Sequence, residues 1–217
     1  MDTKLYVVRH GQSEGNLKAE FHGQYPSDLT DFGIKQAECT ARFLKDEKID
    51  IAFASDIPRA CNTGKIIAKA HGLEVIKDES LREIDGGVWE QVKFDDIQVQ
   101  YPDEYDVWKN DLGNCTCPGG ESIRHLAKRV RLGFEKIVKE NAGKNILIAS
   151  HALPIRCMTC FWKGLDISRV GNVHWSPNAA VTIVNYDSQT LEFEVEHFAL
   201  YDHLLKEGLV TELPKNI

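Results

Sequence analysis

A short apolar run near the N-terminus ends in an arginine, a histidine and a glycine. Residues 6–8 have the β-branched and aromatic character of a buried strand, and Arg9, His10 and Gly11 follow at once. In α/β sheets ligands collect beyond the carboxyl ends of the strands, so these polar side chains stand where a reactive group would be placed. Gly11 permits a sharp turn, and the amide of Asn16 can return to the same place. The pattern favours an anion-binding site.

Three further segments supply side chains of the kind that such a site needs. The apolar run 146–149 is followed by His151, the short run 51–54 leads to Arg59, and a loop carries Glu83. Parallel strands end at a common edge of the sheet, so these residues are expected to converge there. Taken singly, each has an ordinary explanation: a packed histidine, a solvated arginine, a carboxylate paired with its neighbour. Their joint order along the chain favours a site.

The elements that must position these residues alternate between strand and helix for most of the chain. This alternation predicts an α/β fold, a three-layer α/β/α sandwich around a mostly parallel mixed sheet. Predicted strands are 5–8, 51–54, 74–77 and 146–149, followed by a late hairpin of 181–186 and 191–195. Predicted helices run from a Thr30 cap to about 47, from 58 to a stop at Gly72, from Ser122 to a stop at Gly143, and onward from 152.

We predict that residues 1–217 form one domain. Its least regular part, at about 84–120, is interpreted as an insertion that covers the substrate, with helical pieces near 94–100 and 104–110 and turn chemistry between them. Its aromatic residues either line an apolar pocket or fill the core.

Composition narrows the class of partner. The 217 residues carry a formal net charge of −7, with no basic stripe, which argues against general binding to nucleic acid or to a membrane surface. No apolar run approaches membrane-spanning length and no secretory signal is visible, so a cytoplasmic location is expected. An apolar strand at a sheet edge would permit a homodimer.

Six cysteines allow two interpretations. Two close pairs, Cys115/Cys117 and Cys157/Cys160, could together make a tetrahedral zinc site. One pair has a one-residue spacing and the other lies in an apolar helical pattern, so buried free thiols are the favoured interpretation.

The chain resembles the histidine phosphatase superfamily, which contains phosphoglycerate mutases and many small phosphatases. The similarity extends over nearly the whole chain and includes the Arg9-His10-Gly11 signature. Its five ordered segments are 5–16, 28–33, 54–63, 81–90 and 150–151.

The resemblance implies the phosphoglycerate mutase-like fold and a role for each matching residue. His10 would be the nucleophile, Glu83 the proton donor and acceptor, and Arg9, Asn16, Arg59 and a charged His151 the ligands of the phosphoryl group. Two arginines that stay protonated do the electrostatic work that a magnesium ion does elsewhere, so no metal and no cofactor is expected.

Several positions are less specific. His22, in a loop that often faces substrate in this family, is either a phosphate or leaving-group contact or an exposed loop residue, and Gly23 beside it is a further candidate for substrate binding. Ser122 either contacts the leaving group or caps its helix. Ala152 replaces the glycine that commonly follows the second histidine, and its backbone N–H remains available to phosphate if its φ is negative.

The favoured function is metal-independent hydrolysis of small phosphomonoesters through phosphohistidine. The segment after Glu83 is short and acidic, whereas the larger mutases carry extra basic residues there. The alternatives are an isomerase, phosphoglycerate mutase, and a non-catalytic member that binds a phosphorylated ligand. A zinc-dependent hydrolase built on the cysteine pairs is a further alternative.

Overall fold

The computed structural model describes residues 2–211, in which helices cover both faces of a six-stranded sheet. The strands are β1 (Asp2–Arg9), β2 (Glu20–Phe21), β3 (Ile51–Ala54), β4 (Val75–Lys77), β5 (Val92–Lys93), β6 (Asn145–Ser150), β7 (Val181–Asp187) and β8 (Glu192–Leu200). The helices are α1 (Glu14–Lys18), α2 (Asp31–Leu44), α3 (Pro58–Lys69), α4 (Phe94–Gln100), α5 (Pro102–Asn110), α6 (Ile123–Glu140), α7 (Ala152–Trp162) and α8 (Asp202–Lys206).

The main sheet has the strand order β4-β3-β6-β1-β7-β8. The first four strands are parallel, whereas β7 is antiparallel to β1 and β8 to β7. The predicted mostly parallel mixed sheet and its closing hairpin are therefore confirmed. Because β1 and β6 are neighbours, with Arg9 opposite Ser150, the residues that follow these two strands emerge side by side.

Alternate side chains of β1 enter two cores. Leu5 and Val7 pack with apolar residues of α6 and α7, whereas Tyr6 and Val8 pack with those of α2 and α3 on the other face. A strand buried on both faces is what a continuous apolar run predicts. One core lies between the sheet and the helices on each of its faces, which gives the three layers of the expected sandwich.

The boundaries of some elements differ from their predictions. Thr30 caps α2 as expected, its hydroxyl accepting a hydrogen bond from Gly33 N at 3.0 Å, but the helix ends at Leu44. α3 ends at Lys69, ahead of the left-handed Gly72. α1, α8 and the small β2–β5 sheet were not predicted, since two to five residues are too few to display a period.

The segment at 84–120 packs tightly. Its two helical pieces are confirmed as α4 and α5, the latter beginning at Pro102. Trp89 and Trp108 are buried around Phe21, with ring centroids 5.5 and 5.0 Å from it. Most of its aromatic residues therefore belong to the core. None of the helices within residues 2–211 is both long enough and apolar enough to cross a membrane.

Candidate active site

β1 and β6 bring His10 and His151 together. His10 N donates a hydrogen bond of 3.0 Å to Ser150 O, which continues the ladder between the two strands. The two imidazole rings meet edge to face, with centroids 5.2 Å apart. Both side chains are buried.

The surroundings of His10 select one tautomer. Its Nδ1 lies 2.7 Å from Gly11 O, and a carbonyl oxygen only accepts, so Nδ1 carries the proton and Nε2 keeps its lone pair. Burial, followed by the charges of Arg59 and Arg9, lowers the pKa of His10 well below its ordinary value. The side chain is therefore a neutral imidazole with a free nitrogen, which is what a nucleophile requires.

Arg9 and Arg59 place two buried cations in the same cavity as His10. Arg59 donates to Gly23 O at 2.6 Å and to Tyr25 O at 3.1 Å, which anchors the loop after β2. Arg9 donates to Ser176 O, and its Nε is buried without a partner. Burial lowers the pKa of each guanidinium to about 10, so both remain charged at neutral pH.

Glu83 lines this cavity as a buried carboxyl group. Burial raises its pKa, against hydrogen bonds from Ile84 N at 2.9 Å and Leu153 N at 3.4 Å and the charges of Arg59 and Arg9. A carboxyl group with a raised pKa is suited to giving and taking a proton near neutral pH.

The surroundings of His151 affect its charge. Burial is the largest cause that lowers the pKa of His151 well below its ordinary value, and the charges of Arg59 and His10 lower it further. The groups of the protein itself therefore favour the neutral form of this imidazole. Its Nε2 lies 2.9 Å from Ser55 Oγ, while its Nδ1 is buried without a partner. Burial is thus the main reason that the neutral imidazole is favoured here, and a charged His151 beside a bound phosphoryl group stays a prediction.

Of the remaining residues expected to contact substrate, all but Ser122 line the cavity. The members at its wall are Asn16, His22, Gly23 and Ala152. Asn16 Oδ1 accepts a hydrogen bond of 3.2 Å from Asn178 Nδ2, and Ala152 begins α7 without a positive φ. Ser122 is not brought to the cavity: it caps α6, and its Oγ accepts a hydrogen bond of 3.2 Å from His125 N. This corrects the interpretation of Ser122 as a substrate contact.

The remaining wall of the cavity is aromatic and acidic, and Glu20 is a member that the sequence did not predict. The cavity has a volume of about 80 Å³. Glu20 contributes a carboxylate, and Phe94, Trp108 and Trp175 contribute aromatic surface. The one available signal for Glu20 was its spacing of two from His22, which puts both side chains on one face of a strand.

The cysteines occupy the core. All six are free and buried, and burial raises the pKa of Cys115 to about 11. Within residues 2–211, no three histidine, cysteine, aspartate or glutamate side chains come together in a way that could hold a metal ion. The alternative of a zinc site at the two cysteine pairs therefore finds no ligand set in this part of the chain.

Comparison with known proteins agrees with this geometry. Residues 5–198 match the family model described as histidine phosphatase superfamily (branch 1). Phosphoserine phosphatase 1 of Hydrogenobacter thermophilus is 31% identical over 189 residues, covering 86% of this chain and 88% of that protein. A probable phosphoglycerate mutase, GpmB of Yersinia pestis, is 33% identical over 166 residues, covering 75% of each chain.

Two solved structures share the fold. Bacillus stearothermophilus YhfR superposes with a TM-score of 0.88 at 24% identity, covering 93% of this chain and 99% of that one. A mycobacterial glucosyl-3-phosphoglycerate phosphatase superposes with a TM-score of 0.83 at 22% identity, covering 92% and 99%. At these identities the superpositions establish the architecture alone. From the family model and the relatives in sequence, the chain belongs to the histidine phosphatase superfamily, whose members named here are phosphatases and mutases.

Proposed function

We propose that the protein hydrolyses small-molecule phosphomonoesters without a metal ion, through a phosphohistidine formed on His10. The observation that carries the proposal is the free Nε2 of His10 beside two buried arginines and a carboxyl group of raised pKa, all in one cavity. A site that only bound a phosphorylated ligand would need neither the nucleophile nor the proton donor, so this arrangement favours catalysis over binding.

In the first step, the Nε2 lone pair of His10 attacks phosphorus in line with the ester oxygen. The N–P bond forms as the P–O bond to the alcohol breaks, and Glu83 gives its proton to the departing oxygen. The alcohol leaves neutral, and Glu83 becomes a carboxylate.

In the second step, Glu83 takes a proton from water, whose oxygen attacks phosphorus while the N–P bond breaks. Inorganic phosphate leaves, and both His10 and Glu83 return to their starting forms. Dividing the hydrolysis into two displacements lets one side chain serve as acid and then as base.

The charge of the phosphoryl oxygens is balanced by Arg9 and Arg59. The protein has already removed both guanidiniums from water, so little reorganisation is needed when charge develops in the transition state. His151, neutral in its own surroundings, can take up a proton beside a bound dianion, because a nearby negative charge raises the pKa of an imidazole.

Phosphoglycerate mutase is the alternative, supported by the relative of that name. The acidic residues that follow Glu83, among them Asp95 and Asp96 in α4, favour the phosphatase. The relative named phosphoserine phosphatase matches more of this chain than the mutase relative does.

Trapping the phosphoenzyme tests the chemistry. We expect the wild-type protein, quenched with radiolabelled substrate, to carry an acid-labile phosphate that His10→Ala lacks, with turnover reduced by at least about 10⁴-fold. Full activity in His10→Ala would reject the assignment.

Product analysis separates the two reactions. With 3-phosphoglycerate and 2,3-bisphosphoglycerate, the proposal expects release of phosphate and slow isomerisation; fast isomerisation with little release would establish the mutase instead. Activity lost in EDTA and restored by one metal ion would contradict the metal-free mechanism.

A further inference from the structure

Gln36 is a buried amide that lies between the loop after β1 and the last described residues of the chain. It belongs to α2 and is 0% exposed. Its Oε1 accepts a hydrogen bond of 2.7 Å from Gln12 N, and its Nε2 donates to Leu209 O and Thr211 Oγ1, each at 2.8 Å. A backbone N–H only donates and a backbone carbonyl only accepts, so these partners fix which end of the amide is oxygen and which is nitrogen.

The peptide unit between Gly11 and Gln12 connects Gln36 to His10. Gln36 accepts from the N–H of this unit, and its C=O, which belongs to Gly11, lies 2.7 Å from His10 Nδ1. A peptide unit is planar, so a bond that fixes its N–H also fixes the direction of its carbonyl. A hydrogen bond to the N–H also polarises the unit and makes the carbonyl a stronger acceptor. Gln36 therefore acts on the group that selects the tautomer of His10.

The segment after α8 holds the amide of Gln36 in this direction. Leu209 N donates to Leu204 O at 2.8 Å, and Leu209 and Val210 pack on the small core that contains Leu204. Turning the amide by half a turn would set its oxygen against Leu209 O and its NH2 group against Gln12 N. The segment 209–211 and the loop after β1 thus constrain the same side chain from opposite ends.

We propose that Gln36 is a positioning residue for His10. Through the Gly11–Gln12 peptide it keeps the ring proton on Nδ1 and the lone pair on Nε2, and the segment 209–211 keeps Gln36 in place. The inference rests on the proposed role of His10 as nucleophile. Without the bond to Gln12 N, the carbonyl of Gly11 is a weaker and less fixed acceptor, so the other tautomer, whose protonated Nε2 cannot attack phosphorus, gains population.

Nitrogen NMR of the imidazole rings reports the tautomer directly. In the wild-type protein we expect a pyrrole-like Nδ1 and a pyridine-like Nε2 for His10, assigned by the loss of these signals in His10→Ala. In Gln36→Leu the two shifts should move toward each other as the tautomers mix. Gln36→Glu, which retains an oxygen for Gln12 N, should stay closer to the wild type. His10 shifts that are the same in Gln36→Leu and the wild type would overturn the proposal.

Kinetics separate the state of the nucleophile from the binding of phosphate. We expect phosphoenzyme formation from 4-nitrophenyl phosphate to be about three- to tenfold slower in Gln36→Leu, the effect of about one hydrogen bond. The inhibition constant of inorganic phosphate should change by less than about twofold, because the arginines are untouched. An equal change in both quantities would indicate that the whole site has moved, and would overturn the proposal.

Asn141→Leu is the matched control. Asn141 is a buried amide at the end of α6, and its Nδ2 donates to Ile137 O at 2.9 Å. It precedes β6, whereas His10 follows the parallel β1, so the two lie toward opposite edges of the sheet. The control should leave the His10 shifts and phosphoenzyme formation unchanged. Equal effects of Asn141→Leu and Gln36→Leu would reduce the role of Gln36 to general stability and reject the proposal.

Two measurements on the wild-type protein complete the test. The amide hydrogen of Gln12 should exchange slowly with solvent, and exchange as fast as that of an exposed amide would overturn the proposal even if Gln36→Leu does not fold. Phosphoenzyme formation by the wild type with 4-nitrophenyl phosphate is measured alongside. Its absence would reject the proposed function, whereas its presence with unaltered His10 shifts in Gln36→Leu would reject the role of Gln36 alone.

Discussion

At the scale of single residues, the site is governed by desolvation. Burial pushes His10 toward its neutral form and Glu83 toward its protonated form, and in both cases it is the largest contribution to the pKa shift. Arg9 and Arg59 lower both pKa values, which reinforces the effect of burial on His10 and opposes it on Glu83. For the carboxyl group burial prevails over the two cations, so both shifts favour the protonation states that the proposed first step needs.

Glu83→Gln is expected to act selectively. Without a proton donor, kcat/KM for an alkyl phosphate should fall by about 10²–10⁴-fold, because an alkoxide is a poor leaving group. 4-Nitrophenolate leaves without a proton, so phosphoenzyme formation from 4-nitrophenyl phosphate should be much less affected. Rapid-quench measurement with both substrates checks this, and an equal loss on both would remove Glu83 from the acid role.

The pH profile should follow from the same two shifts. Activity requires neutral His10 and protonated Glu83, so the lowered pKa of His10 moves the acidic limit down and the raised pKa of Glu83 moves the alkaline limit up. We expect a mildly acidic optimum for kcat/KM with alkyl phosphates, and loss of the alkaline limb in Glu83→Gln. A profile of Glu83→Gln that coincides with the wild type would contradict the assignment.

At the scale of elements, one arginine of α6 holds the loop that carries Glu83. Arg129 donates to the carbonyl oxygens of Ser80, Arg82 and Glu83 at 2.9, 3.0 and 3.1 Å. It also pairs through Nε and Nη2 with Glu121, at 3.1 and 2.8 Å. The position of the acid therefore depends on a helix about 46 residues further along the chain.

Arg129→Met is expected to loosen this loop. It leaves the buried Glu121 without its cation, so the free energy of unfolding should fall by about 2–4 kcal/mol. Displacement of Glu83 should lower kcat for alkyl phosphates more than for 4-nitrophenyl phosphate. Urea unfolding and steady-state kinetics measure the two effects. The exposed Lys136→Met on the same helix is the control, and equal losses on both substrates would indicate a purely structural role for Arg129.

The backbone of the loop after β1 lies directly against the first turn of α2. A Cβ on Gly33 would lie 2.0 Å from Gln12 O, and one on Gly11 would lie 2.4 Å from Gly33 O. This close approach fixes the position of the loop that follows His10 against the first turn of α2.

Gly33→Ala should therefore destabilise the protein although alanine is the better helix former. The gain in helix propensity is about 1 kcal/mol, whereas a clash with a backbone oxygen costs more, and we expect a net loss of about 2 kcal/mol. Chemical denaturation measures it. Gly171→Ala, whose nearest neighbour would be 3.9 Å away, should change stability by less than about 0.5 kcal/mol. Equal effects of the two substitutions would refute the close-packing argument.

At the scale of the whole molecule, the strand order makes the site. β3, β6 and β1 lie side by side and parallel, so Arg59, His151 and His10 reach one edge although they are far apart in sequence. The antiparallel β7 then brings Asn178, which donates to His10 O at 3.0 Å, from the other side. The cavity is a consequence of topology.

Stability should decrease as the solution becomes acidic. The pKa values of His10 and His151 are lowered in the folded protein, and that of His203, whose Nε2 lies 3.0 Å from Thr40 Oγ1, falls to about 4. The unfolded chain therefore binds more protons below about pH 6.5, and stability is lost progressively from there toward pH 4, by about 1.4 kcal/mol per pH unit for each extra proton. The raised pKa of Glu83 acts in the opposite direction.

Urea unfolding at about pH 7.5, 6 and 5 tests this linkage. His203→Gln, a substitution outside the cavity, should make the free energy of unfolding less dependent on pH in this range. A free energy of unfolding that is constant from pH 7.5 to 5 would show that the shifts of the histidines and of Glu83 cancel.

Local signals in the sequence predicted most of the architecture and most of the residues that line the candidate site. Strand and helix periods, helix caps and the apolar runs before His10 and His151 are properties of neighbouring residues, so they predicted the α/β sandwich, and the family resemblance named the roles. The ends of helices and strands and the shortest elements were not predicted correctly, because a few residues are too short a stretch to show a hydrophobic period.

Only the tertiary structure decided the matters that depend on distant contacts and on burial. The tautomer of His10, the neutral state of His151, the capping role of Ser122 and the pairing of Glu20 with His22 all arise where separate segments meet. Desolvation and hydrogen bonding are set by the groups that surround a side chain in space, and its neighbours along the chain do not specify them.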